Sequence, residues 1–287
     1  MSWAFRAFQS AFGGYSRVFP GGAAKTAMSL MMSPRISNSK RHELMNDFDS
    51  VHSLGESGFL SVRGDGPVKV LVVHGWSGWL GQFSELINRL DTQRYTVYGL
   101  HPPGHGLCDA SRSHPGRFIE AIVAAREFAG RDFDIAVGHS MGAGTLAYVA
   151  AHERCFGKIV LIAGPSTIRG VLRRFSEFLN LGTRCRAKFF SKVENEVGLS
   201  TEAMDLRIVG AAIRAPALII HDEKDREIPF SEAVELNDAI VNSVVFHTRN
   251  LGHKRILKAP MVIDRIMDFI KPSDVEAPAE KISLVRR

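Results

Sequence analysis

The pentapeptide Gly138-His139-Ser140-Met141-Gly142 is the strongest chemical signal in the chain. It follows an apolar run, Phe133–Val137, and precedes an amphipathic stretch, Met141–His152. A serine on a sharp strand-to-helix turn projects its hydroxyl clear of the sheet. It also sits at a helix N-terminus, where unpaired backbone N–H groups favour negative charge. Side chains two residues to either side would clash in such a turn, which accounts for Gly138 and Gly142. The bland alternative is a glycine-rich turn with a capping serine. The strand and helix patterns on either side weigh against it.

A second glycine-containing turn, His74-Gly75-Trp76-Ser77-Gly78, follows the apolar run Val68–Val73. Such a turn would aim a backbone amide at the serine. Trp76 N–H and Met141 N–H are the candidate donors to an oxyanion developing there. His74 is read as a brace of this loop, with the role of base as the competing reading. His253, in Leu251-Gly252-His253 after the run Ser243–Thr248, is the candidate base. His247 lies within that run and reads as a packed or surface side chain. Two carboxylates follow the run Pro216–Ile220: Asp222 and Asp225. One of them would fix the imidazole tautomer and stabilise the imidazolium.

The elements that must position these groups alternate. Short apolar runs at 68–73, 95–100, 133–137, 158–163, 216–220 and 243–248 read as buried parallel strands. Amphipathic stretches at 82–90, 117–128, 141–152, 232–240 and 260–270 read as helices between them. Residues 51–62 read as an N-terminal hairpin. The pattern predicts an α/β fold with a mostly parallel sheet covered on both faces. Residues 165–212 separate two strands by more than one crossover helix needs. They are helix-like, basic and aromatic, and read as a helical cap. Within it Phe175, Phe178, Phe189 and Phe190 suggest an apolar acyl pocket, although core packing explains each equally well.

The motifs in chain order, HGWSG, PPGHG, GHSMG, HDEKDREIP and LGHKRIL, resemble those of the α/β-hydrolase superfamily over about residues 51–270. They are most similar to bacterial esterase-like members with a helical cap and an N-terminal extension. The resemblance implies an eight-stranded, mostly parallel sheet and no cofactor. It also implies a catalytic triad of Ser140, Asp225 and His253, because family sequences set the acid in a D-x-x-[VI]-P context that Asp225 matches. Asp222 remains the rival. One loop departs from the family's commoner form: His101 and Cys108 stand where Asp and Ser are usual. That bears on loop packing rather than on the triad. His101, His105 and His114 surround this loop and read as structural, since no cysteine or carboxylate completes a metal-ligand spacing. No metal is expected.

The implied organisation is an extension over 1–50, a hydrolase core over 51–164 and 213–271, a cap over 165–212 and a frayed tail over 272–287. Residues 1–42 hold six basic residues and no acidic one, which leaves 30 of each sign in the rest of the 287-residue chain. The body is neutral, so nucleic acid is not an expected partner. In the extension Phe5, Phe8, Phe12, Tyr15 and Phe19 recur at three- and four-residue intervals. Gly13-Gly14 and Pro20-Gly21-Gly22 are expected to interrupt that helix. It reads as a helix packed on the body, as an interfacial membrane contact through residues 1–42, or as a cleaved targeting peptide. Three widely spaced cysteines give no disulfide framework and suggest a reducing, cytoplasmic setting.

The expected substrate is a small-molecule ester, hydrolysed through an acyl-enzyme on Ser140. Thioesters, lactones and the C–C bonds of ring-fission products are alternatives on the same triad. A non-catalytic interaction protein on a hydrolase scaffold is the reading from another class. Dehalogenase and epoxide hydrolase chemistry is disfavoured, because both need Asp where this chain has Ser140.

Overall fold

Continuous apolar runs form strands buried on both faces. The computed structural model describes residues 3–41, 43 and 47–271, so the tail expected at 272–287 lies outside the described residues. A hairpin of β1 (Ser50–Ser53) and β2 (Phe59–Arg63) precedes β3 (Val68–Val73), β4 (Tyr95–His101), β5 (Phe133–His139), β6 (Phe156–Ile162), β7 (Ala217–Asp222) and β8 (Ser243–Thr248). They make one eight-stranded sheet in the order β1-β2-β4-β3-β5-β6-β7-β8. The β1–β2 and β2–β4 pairs are antiparallel and the remaining pairs parallel. The order reverses at β3. A crevice therefore opens beyond the C-terminal ends of β3 and β5, where ligands of such sheets bind.

Alternation along each strand splits the core in two. Leu71 and Val73, Ile159 and Leu161, and Ala217 and Ile219 enter one cluster. Their neighbours Val70 and Val72, Val160 and Ile162, and Leu218 and Ile220 enter the other. The helices, in chain order, are α1 (Trp3–Val18), α2 (Pro20–Met32), α3 (Asn38–Arg41), α4 (Ser84–Arg89), α5 (Pro115–Ala129), α6 (Met141–His152), α7 (Ile168–Phe178), α8 (Thr183–Val197), α9 (Leu206–Val209), α10 (Ser231–Ala239), α11 (Gly252–Arg255) and α12 (Pro260–Ile270). Residues of α5, α6 and α10 fill the first cluster and those of α4 and α12 the second.

A third cluster stands apart. Phe12 of α1 and Ala23, Ala24 and Ala27 of α2 pack with Leu172 of α7 and Cys185, Phe189 and Val193 of α8. The expected interruption at Gly13-Gly14 does not occur, because α1 runs through both. Gly13 is buried, and a Cβ there would meet Asn180 Nδ2 at 2.5 Å. Ser16 Oγ donates to the Gly13 carbonyl at 2.8 Å and accepts the Gly182 N–H at 2.9 Å. Close packing and this bridge offset the roughly 1 kcal/mol that a glycine costs inside a helix. Pro20 does divide the segment, but Gly21 and Gly22 continue as helix. Pro20 occupies the first turn of α2, where its missing N–H has no intrahelical partner to lose. Among the described residues no two cysteines are joined by a disulfide. Among the described residues no helix is long and apolar enough to cross a membrane.

Candidate active site

Ser140 joins β5 to α6 with φ 53° and ψ −119°. A non-glycine residue there costs on the order of 1–3 kcal/mol, so its surroundings must hold it. Its N–H donates to the Ile162 carbonyl at 2.9 Å, and its carbonyl accepts the Gly144 N–H at 3.0 Å. The glycines beside it are there for clearance. A Cβ on Gly142 would reach the His74 carbonyl oxygen at 2.6 Å, and one on Gly138 would reach the Ala143 nitrogen at 2.7 Å. A Cβ on Gly75 would meet Ser140 Cβ at 2.8 Å, so the loop after β3 lies directly against the serine.

The loops after β7 and β8 bring a carboxylate and an imidazole together. His253 Nδ1–H donates to Asp225 Oδ2 at 2.7 Å, with the two side chains 6% and 0% exposed. Asp225 Oδ1 accepts the N–H groups of Glu227 at 2.8 Å and Ile228 at 3.0 Å. Burial alone would push the Asp225 carboxyl up. The His253 hydrogen bond and charge, with the two backbone N–H groups, outweigh burial and hold it below the usual carboxylate range. Donation from Nδ1 leaves Nε2 as the acceptor nitrogen.

Asp222 does different work. It is fully buried and accepts Lys224 N–H at 2.9 Å, Thr248 Oγ1–H at 2.8 Å and Leu251 N–H at 2.9 Å. It ties β7 to β8 and to the start of α11. Burial raises its carboxyl, and these donors more than reverse that.

Ser140 and His253 face one cavity of about 600 Å³, within the range of small-molecule pockets. Trp76 and Met141 line it too. Opposite them stand Leu30, Met31 and Met32 from the end of α2, and Val171, Phe175 and Phe178 of α7.

A family model of the α/β hydrolase fold matches residues 69–197. The AB hydrolase superfamily protein YisY of Bacillus subtilis (strain 168) is 24% identical over 232 residues, 64% of this chain and 84% of that protein. Two solved structures share the fold. A proposed lipase from Acinetobacter baumannii AYE superposes with a TM-score of 0.62 at 17% identity, covering 81% of this chain and 93% of its own. The meta-cleavage product hydrolase of Pseudomonas fluorescens IP01 superposes with a TM-score of 0.58 at 13% identity, covering 78% and 98%. The chain has the α/β-hydrolase fold, and its sequence is similar to that family over residues 69–197.

The remaining motif histidines each bond to nearby backbone or side-chain groups. His74 Nδ1–H donates to the Gly75 carbonyl at 2.9 Å, and burial pushes its pKa down to about 4. His105 Nε2 accepts the Ser77 N–H at 3.0 Å, and its Nδ1 bonds the Pro103 carbonyl at 3.0 Å. The Pro-rich loop thus supports the loop that carries Trp76. His101 Nε2 bonds Ser61 Oγ at 2.8 Å, tying β4 to β2. His247 is exposed and meets Glu223 at 3.1 Å. Among the described residues no three His, Cys, Asp or Glu side chains are grouped to hold a metal ion.

His139 does more than fill the turn. Its Nε2–H donates to the His253 carbonyl at 2.8 Å, and the two rings lie 4.7 Å apart. His221 Nε2, which bonds the Ile228 carbonyl at 3.0 Å, also stands 3.5 Å from Asp225 Oδ2. Sequence reasoning assigned His221 no role. The four cap phenylalanines do not act alike: Phe175 and Phe178 line the cavity, whereas Phe189 and Phe190 pack in the third cluster. The contribution of Leu30–Met32 was likewise unforeseen. The apolar run MSLMM was its visible signal, but only tertiary packing shows where that run lands.

Proposed function

We propose that this chain is a serine hydrolase of carboxylic esters that works through an acyl-enzyme. The observation that carries the reading is the buried Asp225–His253 pair, at 2.7 Å, whose imidazole lines the same cavity as the strained Ser140. His253 Nε2 takes the Ser140 proton as Oγ attacks the ester carbonyl. Asp225 keeps Nδ1 protonated and stabilises the imidazolium. Trp76 N–H and Met141 N–H receive the oxyanion, and α6 begins at the latter. The imidazolium then protonates the departing alcohol. Water, deprotonated by His253, releases the acid and restores the serine.

Apolar side chains dominate the cavity wall opposite the serine, which suits an alkyl or aryl acyl group. On this reading residues 165–212, joined by α1 and α2, form the cap that closes over the acyl group. Labelling with a fluorophosphonate probe tests the activated serine, and p-nitrophenyl butyrate turnover tests the ester. Stoichiometric labelling at Ser140 with ester turnover is the expected result. Folded protein that neither labels nor turns over a panel of acyl esters would overturn the reading in favour of a non-catalytic scaffold.

A further inference from the structure

The outward side of α1 is unlike the rest of the molecule. A ladder of rings runs along its edge, with Phe12 buried in the third cluster and the others reaching outward: Phe178–Phe5 at 4.7 Å, Phe5–Phe8 at 6.3 Å, Phe8–Phe12 at 5.5 Å, Phe12–Tyr15 at 6.1 Å and Tyr15–Phe19 at 5.6 Å. Its two ends and outer edge face water. Trp3 is 84% exposed, Val18 70%, Phe19 60% and Phe178 47%. Burying such groups against water is unfavourable to forgo, and aromatics with one polar end are typical of interfaces between water and hydrocarbon.

The charge on the exposed surface of α1 and α2 has one sign. Arg6, Arg17 and Lys25 are exposed, and residues 3–41 contain no acidic side chain. One carboxylate, Glu177 of α7, shares a polar hollow with Arg6, Gln9, Ser10 and Asn180. The orientation of α1 is fixed. Gln9 Nε2 donates to the Phe178 carbonyl at 2.5 Å, and Ser16 holds the Gly182 N–H at 2.9 Å. The ladder is also continuous with the candidate active site, because Phe178 is both its first ring and part of the cavity wall.

We propose that the exposed side of α1, from Trp3 to Phe19 with Arg6 and Arg17, together with Lys25 of α2, docks on an anionic lipid surface. Exposed aromatics enter the headgroup–acyl boundary, and the basic side chains meet the lipid phosphates. The cavity wall at Phe178 then lies next to the bilayer. Entry of lipid-borne acyl groups by that route rests on the ester-hydrolase reading; the docking itself does not.

Co-sedimentation of the full chain with vesicles tests it. The expected result is binding to phosphatidylcholine vesicles containing 30 mol% phosphatidylglycerol. Pure phosphatidylcholine should bind about 100-fold more weakly, at about fivefold per basic residue near the surface. Raising ionic strength to about 1 M should erase most of that difference. The triple variant Trp3→Ser/Val18→Ser/Phe19→Ser should lose at least about tenfold in vesicle binding. Its p-nitrophenyl butyrate turnover should stay within about twofold of the parent, since none of the three touches the cavity. Arg6→Glu/Lys25→Glu should weaken binding to the anionic vesicles alone. Equal binding to both vesicle types, or unchanged binding by the triple variant, would overturn the proposal. So would a dimer in solution that the triple variant dissolves, since a second copy would then be the occupant. Vesicle binding without any ester turnover would instead sink the ester reading and leave the docking standing.

Discussion

The floor and the roof of the cavity are built by different rules. On the floor, Ser140, Asp225 and His253 each sit just beyond a strand, on loops a few residues long. Backbone hydrogen bonds and glycine clearances set their positions. The roof is made by α1, α2, α7 and α8, which meet through side-chain packing far apart in sequence. The floor therefore dictates what bond can be attacked, and the roof dictates what can lie beside it. Substitutions on the floor should change rate at constant fold. Substitutions in the roof should change preference.

The largest effect is expected at Ser140, the proposed nucleophile. Ser140→Ala should lower ester turnover by about 10⁵-fold or more while leaving the melting temperature within a few degrees. Residual turnover near the parent level would mean that another group attacks. Asp225→Asn should follow at about 10⁴-fold, because the amide presents the wrong partner to Nδ1–H. Asp222→Asn separates the two acids. It removes an acceptor from Thr248 and Leu251 and should cost stability first, visible as a lower urea midpoint with a smaller loss of turnover. A reversed ranking of the two aspartates would exchange their roles.

His139 sharpens the boundary of the floor. It is a positioning residue, acting through the His253 carbonyl. His139→Phe should lower kcat by about 10–100-fold with KM little changed, since small misplacements of a base are costly. His139→Gln, which keeps a donor, should recover part of that loss. If both variants match the parent, the contact is incidental.

Much of the floor was legible because its constraints are local. The G-x-S-x-G turn needs a strand before it and a helix after it, and both patterns lie within twenty residues of Ser140. The centre of the sheet was legible because most of its strands carry a nearly continuous apolar run. The roof was not. Gly13-Gly14 carries a breaker signal that holds only until Asn180, far along the chain, packs against Gly13. Leu30–Met32 and Phe189 have similar chemistry and share the third cluster, yet only Leu30–Met32 also reach the cavity wall. Hydrophobicity alone cannot distinguish them, because the choice depends on helix rotation set by long-range contacts.

Acid should test the floor before the roof. Burial lowers the pKa of His74 to about 4, and of His101 and His139 to about 3, from 6.5. Near pH 6.5 the unfolded chain begins to bind protons that the native state refuses. Stability should therefore fall as pH drops through roughly 6.5 to 4, by at most about 1.4 kcal/mol per pH unit for each histidine. Asp222 and Asp225, whose carboxyls are held low, contribute stability above the usual carboxylate range that is lost only at still lower pH. Urea melts at pH 7, 6, 5 and 4 would show this, and His101→Gln should flatten the slope. A midpoint unchanged between pH 7 and 5 would contradict the buried, neutral state of these rings.

The roof's own signature should be the smallest in magnitude and the most selective. Met31 is half-buried and lines the cavity at the end of α2. Met31→Ala enlarges the wall, so octanoyl esters should gain on butyryl esters by up to about tenfold in relative kcat/KM. Met31→Trp should reverse the ratio by filling that space. Neither change should alter fluorophosphonate labelling at saturation, because the floor is untouched. Equal losses for every acyl length would instead tie α2 to the chemistry, and the division between floor and roof would fail.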